Sequence, residues 1–359
     1  DDFRFLRLWW EVPAAHLASS REETLAGKRW VAFAKGGEFS PYYADVHLVV
    51  NWAQDGAEIR SFSGPGGRLA SRPQNTDFYF RPGLTWPLRT LRGFNLRVLP
   101  ASCIFANKGS SIFVDGDVEG TLLTLLALLN SAPFRALLPL QTAVGSYEVG
   151  VIQRTPVPHL DSEAHSRLAA LGHHAFETAR TYDLTDETTH VFTLPALARC
   201  RSASLKEAAA RVAAEREARA ARLAELQAEI DREAERLYGF SAGETALDAQ
   251  LGSAAPDDAA ADDEAEPDEE RVVDGAADAA DLVMWCAGCV FGRWDVRLAL
   301  DPSRVPPLPG PFDPLPRCAP GALTGADGLP AGPGNVPPDY PLRIDWDGIL
   351  VDDPEHADD

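Results

Sequence analysis

The chain divides by hydrophobic rhythm into a strand-like front and a helix-like rear. Short apolar and aromatic runs occur at 30–33, 46–52, 78–80, 97–99 and 112–114, separated by Gly, Pro and Asn turns. That pattern predicts a β-rich region over 30–118. A Gly-rich stretch at 61–67 reads as a flexible loop inside it. Ahead of this region lie Phe3, Phe5, Leu6, Leu8 and the adjacent pair Trp9-Trp10. The tryptophans are expected to pack against a neighbour in an upstream domain.

Beyond residue 118 the apolar spacing lengthens. Leucines at 122, 123, 125, 126, 128 and 129 predict a helix over 119–139, interrupted by Asn130-Ser131 and Pro133. Residues 144–160 read as one or two strands ending in a proline turn, and 162–181 as a short helix. A long helix is predicted over 204–237. Its apolar positions Leu223, Leu226, Ile230, Ala234 and Leu237 step by 3, 4, 4 and 3, and Gly239 supplies the stop. The first half of that helix is mostly Ala, Glu and Arg. A helical hairpin or coiled-coil spacer fits it, and so does a single helix lying on the domain.

Residues 252–281 are Ala, Asp and Glu with almost nothing large, so they read as a linker that cannot bury enough surface to order itself. Order is expected to resume at Leu282, with a Pro- and Gly-rich tail carrying a last apolar patch at Ile344-Asp345-Trp346. The predicted class is α+β. A β-rich domain occupies 1–160, a helical spacer 161–245, an acidic linker 246–281, and a helix with an irregular extension 282–359.

Charge changes the picture. The chain carries a formal net charge of -21. Residues up to Leu160 hold 16 basic and 14 acidic side chains, a net of +2, and the remainder holds 17 and 40, a net of -23. Within the front, the arc from Arg60 to Lys108 holds Arg60, Arg68, Arg72, Arg81, Arg89, Arg92, Arg97 and Lys108 against one acid, Asp77. Amide and aromatic groups (Gln74, Asn75, Phe78, Tyr79, Phe80, Trp86, Asn95) are interleaved with them. An acidic protein that concentrates positive charge in one place points to a polyanion partner. The plainer alternative is a β surface whose arginines pair with acids elsewhere in the chain.

Little else in the sequence carries chemistry. Five scattered cysteines imply a reducing compartment rather than a disulfide framework, and hence a cytoplasmic protein. The longest apolar run, 122–129, falls short of the about 20 residues a membrane span needs. A start without Met and an Asp-rich end suggest a piece of a longer polypeptide. Cys286 and Cys289 lack a second ligand pair for zinc and read as core. His165, His173, His174 and His190 read as exposed or packing residues. Lys35-Gly36-Gly37-Glu38 is either a hairpin turn or a loop whose amides hold phosphate. The string from Asn335 to Tyr340 has the wrong spacing for the Asn-Pro-Pro-aromatic motif that holds a flipped base. No complete catalytic centre is legible.

The strings FAKGGEFSPYYAD (33–45), HLVVNW (47–52) and RPQNTDFYFRPGLTWP (72–87) together resemble a known arrangement. So do, in the same order, RVLPASCIFANKGSSIFV, LLALLNSAPFRALL, GSYEVGVIQRTPVP, AEIDREAERLYGFS and VFGRWDVRLALDP. It is the region downstream of the catalytic domain in large adenine-specific DNA methyltransferases. These include fused restriction–modification (type IIG-like) enzymes and the methyltransferases of BREX- and DISARM-type phage defence. The resemblance implies a target-recognition and C-terminal part. The S-adenosylmethionine site and the Asn-Pro-Pro-Tyr motif then belong to an upstream methyltransferase domain or subunit, so no cofactor is expected here. Double-stranded DNA is the expected partner. Arg72, Gln74, Asn75 and Arg81 are candidates to read base edges, since Arg suits guanine and Asn or Gln suits adenine. Arg68, Arg89, Arg92 and Lys108, with Lys35, are candidates for phosphate contacts. A non-catalytic interaction or scaffold module, with the arginines as internal ion pairs, is the alternative.

Overall fold

A computed structural model of the chain describes residues 2–63, 67–90, 92–141, 146–240, 275–344 and 346. The fold is α+β. Eight strands form two sheets among the described residues: β1 (Leu6–Leu8), β2 (Leu17–Ala18), β3 (Trp30–Ala34), β4 (Leu48–Asn51), β5 (Gly83–Pro87), β6 (Arg97–Leu99), β7 (Cys103–Phe105) and β8 (Gly109–Ile112). In the first sheet β4 lies between β1 and β3, antiparallel to both. The other edge of β3 is shared by β2 and β7, both parallel to it. The second sheet has the order β6-β5-β8 and is antiparallel throughout. The turn between β7 and β8 carries the chain from one sheet to the other.

Both faces of the first sheet are buried. Val31 and Val50 pair in register and pack with Phe5, Trp52, Ile59 and Ile104. Ala32 and Ala34 on the opposite face pack with Cys103 and Leu99. A sheet covered on both sides needs no alternation of apolar and polar residues. That explains why β7 is absent from the periodicity; β5, central in the second sheet, is buried along its whole length and shows no alternation either. Burial does not explain residues 78–80, where a strand is expected. They close a 3-10 turn, Thr76–Phe78, and Phe80 takes a left-handed φ of 64°.

Beyond residue 118 the helices of six or more described residues are α1 (Glu119–Leu129), α2 (Ala132–Leu137), α3 (Val149–Arg154), α4 (Ser162–Arg180), α5 (Leu205–Tyr238) and α6 (Gly275–Val290). The break between α1 and α2 falls at Asn130 and Ser131, as their residue types predict. Asn130 is fully buried and extends the second sheet with its side chain. Its Oδ1 accepts from Leu96 N at 2.9 Å and its Nδ2 donates to Leu96 O at 2.7 Å. The stretch 144–160 is corrected: α3 replaces the expected strand. Val151 and Ile152 are neighbours and both buried, which a helix turned edge-on to the core allows and a one-sided strand does not.

Helix α5 runs from a Ser204 cap to Gly239, whose φ of 73° ends it. Leu226, Ile230 and Ala234 are fully buried among Leu84, Trp86 and Phe94 of the front region and Leu122 and Leu126 of α1. The rear half of this helix therefore seals the main core, and the apolar core is continuous across residue 160. Helix α6 begins at Gly275, inside the stretch read as linker. Asp278 is buried there because Arg216 of α5 holds it with two hydrogen bonds, 2.6 and 2.8 Å. The remainder of that acidic stretch, through residue 274, lies outside the described residues. Trp9 finds its neighbours within this chain: it packs with Phe192, Trp285 and Trp294. None of the described helices is long and apolar enough to cross a membrane.

The Pro- and Gly-rich tail is fastened to the front. Ala101 N donates to Phe312 O at 3.2 Å, and Leu315 N donates to Ser102 Oγ at 2.9 Å. Arg317 hydrogen-bonds Glu23, which also accepts from Lys28 Nζ at 2.7 Å and from Ser19 N at 2.8 Å. Burial opposes ionisation of Glu23, but these donors outweigh it and hold its carboxyl at about 2. A lowered carboxylate adds stability that is complete above the ordinary value of 4.5 and is lost as pH falls through 2. Glu23→Gln is expected to cost about 1–2 kcal/mol at pH 7, a third of the side chain being open to solvent screening. The difference from wild type should shrink in urea titrations repeated at pH 3. An equal cost at both pH values would overturn the assignment.

Candidate nucleic-acid interface

Strand β3 runs out at Ala34 into Lys35-Gly36-Gly37-Glu38. Gly36 and Gly37 take φ values of 110° and 116°, open to glycine and strained for other residues. A Cβ on Gly36 would stand 3.2 Å from Lys108 O, so the loop rests directly on the β7–β8 turn. Underneath lies Arg97 of β6, only 5% exposed. Its guanidinium donates to Glu38 O at 3.1 Å and to Gly36 O at 2.6 Å. Burial pushes its pKa down to about 10. The loop is thus no tight hairpin. It continues to Tyr42, which pairs with the edge of β6 through Leu96 O and Val98 N. The notion that the loop cradles phosphate through its amides gains nothing from this geometry: two of its carbonyls are turned inward onto Arg97.

The segment after β5 meets the same edge. Leu88 N donates to Lys108 O at 3.1 Å, and Arg89 forms a bridge with Ser146. The Arg92 guanidinium lies over the Phe39 ring, 5.1 Å from its centre. The backbone segments carrying Lys35, Arg89 and Lys108 therefore meet, and Arg92 lies on Phe39 of the loop that follows Lys35. Arg89 and Arg92 are exposed and the two lysines half-buried.

The remaining candidates lie elsewhere. Arg68 sits on a hairpin closed by the Ser63–Leu69 bridge, and Arg72, Gln74 and Asn75 are exposed along the strand-free stretch that follows. Asn75 has a φ of 54°, and its carbonyl accepts from Phe78 N at 3.0 Å. The stretch is held by Arg21, which donates to Thr76 O, and by Phe80 N, which donates to Cys103 O at the start of β7. Cys103 pairs with Ala32, and the Phe78 ring meets Phe113, itself packed on Phe105 at the Ala34 end of the sheet, so this stretch runs alongside β7.

Arg81, expected among the base readers, is half-buried with its guanidinium held by protein partners. It forks onto Asp117 at 2.6 and 3.1 Å, donates to Val114 O at 3.0 Å, and lies between the rings of Phe78 and Phe113. Arg60 likewise contacts Asp55 and the Trp52 ring. The arc therefore does not form a single cleft. It forms a basic edge and a separate polar stretch, with Arg60, Arg81 and Arg97 binding the lobe together.

No family model matches the chain. It is 31% identical over 156 residues to the adenine-specific methyltransferase PglX of Lacticaseibacillus casei (strain Zhang), covering 43% of this chain and 13% of that protein. It is 27% identical over 153 residues to the adenine-specific methyltransferase BrxX of Escherichia coli O9:H4 (strain HS), covering 43% of this chain and 12% of that one. The chain is similar to a fragment of an adenine-specific methyltransferase. The aligned segments span 12–13% of these relatives' lengths, as the expected fragment of a larger methyltransferase would.

Two features of the methyltransferase-like fragment were not legible as sequence. Asp45 and His190 form a buried pair, with Nδ1 2.9 Å from the carboxylate and the imidazole stacked on Trp9 at 4.2 Å. A groove lined by Arg199, Arg219 and Arg222 lies beside α5. The sequence offers no signal for the first, whose partners are far apart. For the second, Arg219 and Arg222, three residues apart on the long helix, were the available sign, while Arg199 comes from another segment. No cluster of His, Cys, Asp and Glu suited to a metal occurs among the described residues.

Proposed function

We propose that this chain supplies duplex-DNA recognition to an adenine-N6 DNA methyltransferase of a restriction–modification or phage-defence system. The observation that carries the reading is the meeting of Lys35, Arg89, Arg92 and Lys108 on one edge of the β lobe, in a chain of net charge -21. Phosphates bound there set position. Arg72, Gln74 and Asn75 read base edges, and Arg68 beside them adds a phosphate contact. S-adenosylmethionine and the transfer chemistry belong to an upstream domain or subunit. Similarity to PglX and BrxX supports this assignment of roles.

The interaction-module reading draws on Arg60, Arg81 and Arg97, whose contacts are internal. A selection from a randomised duplex pool separates the two. Under the DNA reading, wild type enriches a defined site, and Arg72→Gln or Asn75→Ala relaxes it at one position, at a cost of about 1–3 kcal/mol. A pool that emerges unenriched favours the interaction module.

A further inference from the structure

A second positively charged site lies on the opposite, acidic half of the chain. The C-terminal end of α4, the residues that follow it, the helical turn Ala196–Arg199 and the middle of α5 enclose an open groove of about 430 Å³. Its floor is apolar, from Ala196, Val212 and Ala218, and its rim carries Arg199, Arg219 and Arg222 with the hydroxyls of Thr178, Thr181 and Thr185. Glu215 is the acid of the lining, and Cys200 Sγ is 3.6 Å from it. Three guanidiniums against one carboxylate leave the lining of the groove positive.

The way these arginines are held is informative. Arg219 donates to Thr181 O at 2.8 Å and to Glu215 O at 3.3 Å, and its guanidinium lies 5.1 Å from the centre of the Tyr182 ring. Arg199 donates to Thr193 Oγ1 at 3.0 Å. In both cases the groups that orient the guanidinium are neutral, so orientation is fixed while charge is left in place. Burial first, and the like charge of Arg219 next, push the pKa of Arg199 down. Arg222 contacts Glu225 at 3.2 Å, but both side chains are largely open to solvent. Two oriented guanidiniums held close together, without carboxylates fixing them, are arranged as in sites that grip a phosphoryl oxygen pair.

We infer that this groove binds a phosphoryl anion, with Arg199 and Arg219 gripping its oxygens, Arg222 closing from the rim, and the apolar floor accepting the group that carries it. The phosphoryl group can come from a small organic phosphate or from a nucleic-acid backbone, and the two sources are separable. The site is independent of the basic edge at Lys35 and Lys108, and it stands or falls apart from the proposed reading of DNA sequence.

The test is calorimetric titration of the full chain with pyrophosphate and with ATP, beside duplex binding of the same protein. Wild type, Arg199→Gln/Arg219→Gln and Arg222→Gln are compared, with thermal melting as the control for folding. Binding of pyrophosphate or ATP by wild type, weakened at least tenfold in the double variant and less in Arg222→Gln, assigns a small phosphate. Duplex affinity that falls at least tenfold in the double variant, with neither small anion bound, assigns the backbone source. Should the double variant melt early, Arg219→Lys, which keeps the charge and loses the fork, is expected to fold and to bind several-fold more weakly. Failure of both pyrophosphate and ATP to bind, together with duplex affinity unmoved by any of these variants, overturns the inference.

Discussion

Asp45→Asn is expected to lower the unfolding free energy by about 3–5 kcal/mol, the cost of removing one partner from a buried pair. The side chains of Asp45 and His190 are 1% and 3% exposed. The carboxylate accepts from His190 N at 3.2 Å as well as contacting Nδ1. Burial opposes its ionisation, but the charge and hydrogen bonds of His190, with help from His47, prevail and keep its pKa below the ordinary 3.8. Asn offers one acceptor where the carboxylate offers two, and it turns an amide donor toward the imidazole. The loss should propagate, because Asp45 ends the loop that begins at Lys35, while His190 stacks on Trp9 and Trp9 Nε1 donates to Thr188 O at 2.8 Å. One contact therefore ties the front sheet to the segment after α4.

The pH dependence has a definite sign. A carboxylate lowered in the folded state contributes fully above its unfolded value of 3.8, and the contribution is lost as pH falls through the lowered one. Wild type should lose stability in acid more steeply than Asp45→Asn, and the two should converge below that range. Urea unfolding at pH 7 and pH 3 measures both. A cost under about 1 kcal/mol at pH 7 would mean that the pair contributes no more than an exposed one.

What the sequence disclosed depended on how local the governing contact is. Helices α1, α4 and α5 were legible because an apolar stripe is written in neighbouring residues, and for α5 Ser204 and Gly239 mark its ends. Strands β5 and β7 were not, because every residue of GLTWP is buried and the alternation that marks a strand never develops. The short run VGVIQR of α3 carries β-branched residues, and only its docking against the core makes it helical. The start of α6 was hidden because Asp278 looks like one more acid in an acidic run until Arg216 meets it.

The candidate site divides along the same line. The concentration of basic residues is a property of the string, but the partners are not. Arg81 meets Asp117 at the ends of two paired strands, and Arg97 is held by backbone carbonyls, which no composition reveals.

Changing Lys35, Arg89, Arg92 and Lys108 together to Gln should weaken duplex binding about a thousandfold near 0.15 M salt. The plot of log affinity against log salt should flatten by about 3–4. The magnitude follows from counterion release: each phosphate neutralised contributes about 0.9 to the slope, hence about 0.7 log units at that salt. Sequence preference among the duplexes still bound should survive, since phosphate contacts set position and the base readers Arg72, Gln74 and Asn75 are left in place. Arg81→Gln is the contrasting variant. It breaks the Asp117 fork and should lower stability, but leave the salt slope within about 0.5 of wild type. Arg97→Met tests the scaffold beneath the edge. It strips the inward-facing carbonyls of Gly36 and Glu38 of their donor, at about 1–3 kcal/mol each way of counting a buried unsatisfied group. It also releases the loop that carries Lys35, so affinity should fall although Arg97 itself is buried away from any duplex. A fourfold variant with unchanged slope would place the phosphate contacts elsewhere. A slope that falls equally in Arg81→Gln would show that charge number, rather than its gathering at one edge, governs binding.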